Sequence, residues 1–217
     1  MIRNKKLIYL IATIFMAGTI TCDPLTTKEK IDFLLIVKDG SLEKLQKYVK
    51  DQKIDLTQNP ALAQIALINS FKHGGMKKGI TEFLLDNGAT ANFTTRDGKT
   101  ALDYTTKKGF FNAPATKLLI KHGAPVKKDI FKNILDLAVN IEVDLAKHSG
   151  FKGSGSIERD QYFLNEYLDI LTLIINKTES KPYLTMLMQA EKQILSLGKF
   201  HPQWKKILPY FVKNKYN

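Results

Sequence analysis

Asp97-Gly98-Lys99-Thr100-Ala101-Leu102 is the central motif of the segment that decides the fold. This segment runs from Asn92 to Val126. Asp-Gly supplies the positive φ that a tight turn needs, and Thr100 is placed to cap a short helix with its hydroxyl. A second helix follows over Pro114-Ala115-Thr116-Lys117-Leu118-Leu119-Ile120, and Gly123 is placed to end it in the left-handed conformation. One such helix pair cannot bury its own apolar face, so the segment predicts neighbours of the same kind.

Two earlier segments repeat this pattern. Phe83-Leu84-Leu85-Asp86-Asn87-Gly88-Ala89 stands 35 residues before Leu118 to Ala124 and ends in the same Gly-Ala pair. Further upstream, Val37 to Leu45 reads as the end of one helix, a glycine and the start of another. The glycines recur every 34 to 35 residues, at Gly40, at Gly74 or Gly75, and at Gly109.

These residues and this spacing resemble the ankyrin repeat. Its Gly-x-Thr-Pro-Leu-His pattern is matched by Gly98-Lys99-Thr100-Ala101-Leu102-Asp103, and its Leu-Leu-x-x-Gly-Ala pattern by Leu84 to Ala89 and Leu119 to Ala124. Asp103 replaces the usual histidine, Thr105 and Thr106 replace a pair of alanines, and the period exceeds the usual 33 residues. The resemblance covers roughly residues 33–126 and implies an all-α solenoid of about three helix pairs.

The resemblance also implies where a partner binds. Ankyrin-repeat proteins meet their partners with the turn tips and with the exposed face of the first helix of each repeat. The matching residues are Arg96, Asp97 and Lys99 at the tip, and Lys107 and Lys108 at the helix end. Four of these five side chains are cations, so the expected complement is an acidic protein surface.

The composition fits a folded, basic protein. A hydrophobic fraction of 44% with 10% aromatics is enough for a core and excludes wholesale disorder. The formal charge of +12 includes +3 from the first 22 residues and +6 from residues 181–217. Such an excess suits nucleic acid, an anionic membrane or an acidic partner, or else reflects a general lysine bias.

The first 22 residues predict an export signal. Arg3, Lys5 and Lys6 precede an uncharged apolar run from Leu7 to Ala17, and small residues follow. The run is short for a bilayer span, which needs about 20 apolar residues. An uncleaved membrane anchor is the alternative.

The single cysteine, Cys22, stands directly after that run in Thr19-Ile20-Thr21-Cys22. This segment resembles a bacterial lipoprotein signal, in which the cysteine becomes the lipid-bearing first residue. The family favours leucine where Thr19 stands and a smaller residue where Thr21 stands. Lipid attachment at Cys22 and cleavage without lipid are therefore both open, and the protein is expected to be membrane-anchored, periplasmic or secreted.

Helical periodicity continues after the repeats. Residues 23–32 form a polar leader, and residues 127–217 are expected to form a C-terminal helical cap of four helices. One apolar face is predicted for the first of these, with Ile130, Ile134, Leu137, Ala138, Ile141 and Leu145. Glu142 is assigned to solvent. Trp204 is assigned to the core, the alternatives being a membrane-interface anchor or a nucleic-acid contact.

Catalytic chemistry finds little support in the sequence. It has neither a Gly-rich phosphate loop nor a serine in a nucleophile-elbow context. The four histidines are far apart and the single cysteine permits neither an internal disulfide nor a multi-cysteine metal site. No catalytic residue, metal site or cofactor is predicted.

The sequence therefore predicts a noncatalytic protein–protein interaction module on an exported bacterial protein. Two other classes stay open: a small enzyme or toxin-like domain in the C-terminal region that the repeats target, and a basic binder of a membrane surface. Nucleic acid is a poor partner for an exported protein.

Overall fold

The computed structural model describes residues 25–72, 78–107, 111–147, 155–177, 183–198, 201–205 and 207. The predictions about the export signal, Cys22 and Lys108 lie outside these residues. Across the described ranges the chain is all-helical, as predicted, and the β-type pairing there is one isolated bridge between Thr94 and Thr100. The helices are α1 (Thr27–Asp39), α2 (Leu42–Asp51), α3 (Pro60–Lys72), α4 (Lys78–Asp86), α5 (Ala101–Thr105), α6 (Ala113–Lys121), α7 (Lys128–Lys147), α8 (Gly155–Lys177) and α9 (Leu184–Leu195). None of these described helices is both long and apolar enough to cross a bilayer.

Helix α1 begins at Thr27, inside the polar leader that the sequence predicts for residues 23–32. The backbone N–H of Thr26 donates to Glu29 Oε2 at 2.7 Å, and the backbone N–H of Glu29 donates to Thr26 Oγ1 at 3.2 Å. This reciprocal capping box satisfies two backbone N–H groups that have no partner within the helix. Residues 27–32, of which all but Ile31 are polar, are therefore the first turns of α1.

The first six helices contact one another in two rows. Each of α1, α3 and α5 packs on the helix that follows it, and these three also contact one another in order. Helices α2, α4 and α6 form a second row with the same order of contacts. Fully buried apolar residues fill the space between the rows, including Phe33, Leu45, Leu84, Leu102 and Leu119.

The second-row helices end in the same hydrogen-bonded turn at a spacing of 35 residues. The backbone N–H groups of Ile54, Ala89 and Ala124 donate at 2.9 Å to the carbonyls of Val49, Leu84 and Leu119, respectively. The residue before each donor has a positive φ, of 52° at Lys53, 110° at Gly88 and 85° at Gly123. This is the closing pattern of a helix that ends in a left-handed residue.

Gly88 has a second reason to be glycine. A Cβ at this position would lie 3.1 Å from the carbonyl oxygen of Leu56 and 3.1 Å from the Cα of Thr57. Gly123 has no atom within 4 Å of such a Cβ. The backbone of the preceding connection thus approaches the middle turn closely, which fixes how α4 sits beside that connection.

Helix α7 is buried on a wider face than one helical stripe. It contacts α8 on one side and α9 on another, so two adjoining faces of α7 are covered. Its buried residues are Ile130, Phe131, Ile134, Leu135, Ala138, Val139 and Glu142. The predicted stripe is correct for Ile130, Ile134 and Ala138, but Leu137, Ile141 and Leu145 are only half-buried.

Polar contacts fasten the C-terminal helices to α6. The ammonium of Lys177 donates to the carbonyls of Ile120 and Lys121, at 2.9 and 2.8 Å, and so satisfies carbonyls at the end of α6. Lys117 lies 3.1 Å from carboxylate oxygens of both Glu166 and Asp169 on α8. The C-terminal region is therefore packed directly onto the last of the helix pairs.

Glu142 is buried, so its assignment to solvent was wrong. Its Oε2 accepts the indole N–H of Trp204 at 2.9 Å, and its Oε1 accepts the backbone N–H of His201 at 2.9 Å. Trp204 is fully buried, which agrees with its assignment to the core and removes its indole from any exposed membrane or nucleic-acid contact. A carboxylate can be buried here because both of its oxygens accept hydrogen bonds.

Candidate partner-binding surface

Arg96, Asp97 and Lys99 lie in one tight turn, which we call the tip (residues 95–99). The backbone N–H of Gly98 donates to Thr95 O at 2.9 Å, and that of Thr95 donates to Lys99 O at 2.8 Å. Gly98 adopts φ 74°, as the Asp-Gly pair predicts. The turn therefore projects Arg96, Asp97 and Lys99 into solvent, and all three side chains are exposed.

A threonine hydroxyl organises the tip from inside. Thr95 Oγ1 lies 2.6 Å from Asp97 Oδ1, and it accepts the backbone N–H of Lys99 at 3.1 Å. The hydrogen bond from the Thr95 hydroxyl lowers the pKa of Asp97 below its usual value, with a smaller contribution from Lys99. Asp97 therefore stays ionised, and its charge partly offsets the Lys99 ammonium 3.4 Å away.

Thr100 is the N-cap residue of α5, as predicted, and Asp103 completes the capping box. Asp103 Oδ2 accepts the backbone N–H of Thr100 at 2.6 Å and the Thr100 hydroxyl at 2.9 Å. Lys127 donates to the same oxygen at 2.9 Å. Burial raises the pKa of Asp103, but the three hydrogen bonds and the Lys127 charge outweigh it, so the pKa lies below its ordinary value.

Tyr104 joins the tip to the exposed side of α5. The Lys99 ammonium lies 5.9 Å from the centroid of the half-buried Tyr104 ring, within the range of a cation–π contact. Burial raises the pKa of the Tyr104 hydroxyl, and the negative charge of Asp97 raises it further. The tip thus presents the Lys99 ammonium beside a neutral aromatic ring, with the exposed Arg96 in the same turn.

Lys107 is exposed but lies at the other end of α5 from the tip. Lys107 stands two residues after Thr105, the last residue of α5. The structure therefore brings together three of the five predicted residues in one turn, and Lys107 is exposed beyond the other end of α5. Lys108 is outside the described residues.

Asp103 predicts a specific pH dependence of stability. Asp103→Asn should lower the free energy of unfolding at pH 7 by about 1–2 kcal/mol, because it removes a charged acceptor of three hydrogen bonds. Folding lowers the pKa of Asp103, so its contribution to stability is complete at pH values well above 3.8, its ordinary pKa. The contribution is lost as the pH falls through the lower pKa of Asp103 in the folded protein. Urea unfolding of both proteins between pH 7 and pH 3 measures it.

The control is Asp136→Asn, which breaks an exposed ion pair with Lys132. That change should alter stability by less than about 1 kcal/mol at any pH. A difference between wild type and Asp103→Asn that stays constant down to pH 3 would contradict the ionised role of Asp103.

Comparison with known proteins identifies no relative: no protein-family model, curated protein or solved structure matches the chain significantly.

Within the described residues there is no group of three or more His, Cys, Asp or Glu side chains that could hold a metal ion. A groove of about 310 Å³ between α7 and α9 is lined by Leu135, Val139 and Met186, and its charged residues, Lys132 and Asp136, pair with each other.

The sequence interpretation missed Lys127 and undervalued Asp103. Asp103 was noted only as a departure from the family pattern, and Lys127 was assigned to the start of the C-terminal region. Asp103 and Thr100 do stand in capping-box spacing, a local signal that could have revealed the cap. The contact with Lys127 joins residues 24 apart and carries no local signal.

Proposed function

We propose that residues 33–126 form an ankyrin-like solenoid, which the C-terminal helices close, and that the chain is a noncatalytic protein–protein interaction module. The observation that carries this proposal is the 35-residue repeat of the helix-ending turn, with matching hydrogen bonds at Ile54, Ala89 and Ala124. Stacked units that contact only their neighbours are the architecture of repeat proteins. Such proteins work by presenting an extended binding surface.

A second repeated contact supports the same proposal. Gln64 on α3 donates through Nε2 to Thr90 Oγ1 at 2.7 Å, and Asp103 on α5 accepts from Lys127 at 2.9 Å. In both cases a first-row helix is joined to the segment that follows its second-row partner. The same kind of contact thus recurs in two successive helix pairs despite different side chains.

The proposed binding surface consists of the tip, Tyr104 and Lys107. A partner that recognises this surface meets the local group of Arg96, Lys99 and Lys107, whose side chains are all exposed. An acidic protein surface is the complement that such a group favours.

A triple variant tests this function. Arg96→Ala, Lys99→Ala and Lys107→Ala together should weaken capture of the partner from the native envelope fraction, most visibly at low salt, where charges are least screened. Stability should change by no more than about 0.5 kcal/mol per site, because all three side chains are exposed. Quantitative mass spectrometry of the captured proteins measures the effect.

The control variant removes the same charge elsewhere. Lys47→Ala, Lys50→Ala and Lys192→Ala change exposed lysines on α2 and α9. Capture should survive these changes. If the tip variant captures the same proteins undiminished, or the control variant loses them equally, the binding surface lies elsewhere.

The proposal includes export with lipid attachment at Cys22. Its support is the order of basic, apolar and small residues before that cysteine. Metabolic labelling with a radioactive fatty acid should mark the wild-type protein and leave Cys22→Ser unmarked. Unlabelled wild-type protein in the soluble fraction would exclude the lipoprotein form and leave simple secretion as the alternative.

A further inference from the structure

The Lys127 side chain contacts the tip at the backbone of Gly98. Its ammonium donates to the carbonyl of Gly98 at 2.9 Å and to Asp103 Oδ2 at 2.9 Å. One side chain thereby joins the tip turn to the cap of α5. Lys127 stands in the connection that leads into α7, 24 residues after Asp103.

The contact affects both the position and the charge of the tip. A lysine ammonium offers three donors, and two of them are directed at acceptors of the tip and its helix. The positive charge of Lys127 also neutralises Asp103, which is only 18% exposed. Without the Lys127 ammonium, the Asp103 carboxylate and the Gly98 carbonyl would both lose this donor. Their negative potential would then reduce the positive potential of the surface.

Lys127 is itself held by the C-terminal region. The hydroxyl of Tyr183 donates to the carbonyl of the preceding residue, Val126, at 2.9 Å. The Tyr183 ring stacks on Phe131 with a centroid separation of 4.1 Å, and the backbone N–H of Phe131 donates to Lys127 O at 3.1 Å. A continuous set of contacts thus runs from the start of α9 through the connection to the tip.

We infer that Lys127 is a positioning residue of the binding surface, and that the C-terminal region is a structural part of that surface and not a separate module. The inference deepens the proposed function and rests on it for its effect on partner binding. Its structural half, the hold of Lys127 on the tip, is tested without any partner.

The experiment measures amide hydrogen exchange over residues 94–104 in the full chain. Lys127→Met keeps most of the side-chain length and removes the ammonium, whereas Lys128→Met removes a charge from the adjacent exposed lysine. Exchange at Gly98, Lys99 and Thr100 should become about tenfold faster in Lys127→Met, because a charged hydrogen-bond donor is lost. Lys128→Met should match wild type, and Lys127→Arg should restore most of the protection.

Exchange in the α3 peptide, residues 60–71, separates a local effect from global unfolding. Wild-type exchange at the tip in Lys127→Met, or equal acceleration in Lys128→Met, would overturn the inference. So would equal acceleration of the α3 peptide, because the effect would then be general destabilisation.

Partner capture distinguishes this inference from the proposed function. Faster tip exchange together with weakened capture by Lys127→Met supports it. A second outcome is that the triple variant of Arg96, Lys99 and Lys107 captures less partner while Lys127→Met captures as much as wild type. This outcome overturns the positioning role and leaves the proposed function standing. Undiminished capture by the triple variant would mean that the proposed binding surface is wrong and lies elsewhere, while the exchange result still decides whether Lys127 holds the tip.

Discussion

Trp204→Ala should lower the free energy of unfolding by about 3–5 kcal/mol, the range for removing a buried aromatic side chain. Trp204 is fully buried, and its indole N–H is one of two donors that the described residues provide to the buried carboxylate of Glu142. The variant therefore creates a cavity and leaves Glu142 Oε2 without this donor. Urea unfolding should be followed by circular dichroism, because Trp204 is the only tryptophan and its fluorescence is lost in the variant.

Two further variants separate packing from hydrogen bonding. Trp204→Phe keeps an aromatic ring but removes the indole N–H, so it should cost less than Trp204→Ala and still at least about 1 kcal/mol. Lys205→Ala changes the adjacent exposed residue and should stay within about 0.5 kcal/mol of wild type. A loss below 1 kcal/mol for Trp204→Ala would mean that this segment does not contribute to the core.

Leu102→Ala is the second substitution with a large expected effect, a loss of about 2–5 kcal/mol. Leu102 is fully buried on α5, where the first-row helices contact one another and α6 packs against them. Removing three carbon atoms there leaves a cavity that two rows of helices cannot close without shifting. The midpoint of urea unfolding measures the loss.

Leu35→Ala provides a matched control with the same chemical change. Leu35 lies on α1 and is 44% exposed, so its truncation should cost less than about 1 kcal/mol. Similar losses for the two leucine variants would contradict a core centred between the two rows of helices. A wild-type midpoint for Leu102→Ala would also remove the main support for stacked units around this residue.

Much of the helical framework was predictable because its signals are local. Gly98 and Gly123 have the positive φ values expected from their turn and helix-end contexts. Ser41 stands directly before the apolar-patterned residues of α2 and caps that helix, with its hydroxyl oxygen accepting the backbone N–H of Lys44 at 3.2 Å. Each signal acts over at most four residues, so the sequence displays it directly.

The first helix-ending turn shows where a local signal misleads. Lys53 adopts φ 52° at the position where the later units have Gly88 and Gly123. A pattern based on glycine therefore does not reveal that this turn is equivalent to the two later ones. Packing and the hydrogen bond from Ile54 to Val49 hold a lysine in a conformation that glycine enters at less cost.

The residues of the candidate site also divide into those that a local sequence signal locates and those that only tertiary contacts reveal. Exposure of Arg96, Asp97 and Lys99 follows from their place in an Asp-Gly turn, and the sequence alone located them. The contact of Lys127 with that turn and the burial of Glu142 depend on hydrogen bonds across 29 and 62 residues. Periodicity assigns a residue to a face of its own helix, but only the packing of other helices decides whether that face meets water. The sequence by itself therefore determined most of the helices and the exposed tip, whereas tertiary structure decided which charged side chains are buried and which of them hold the tip in place.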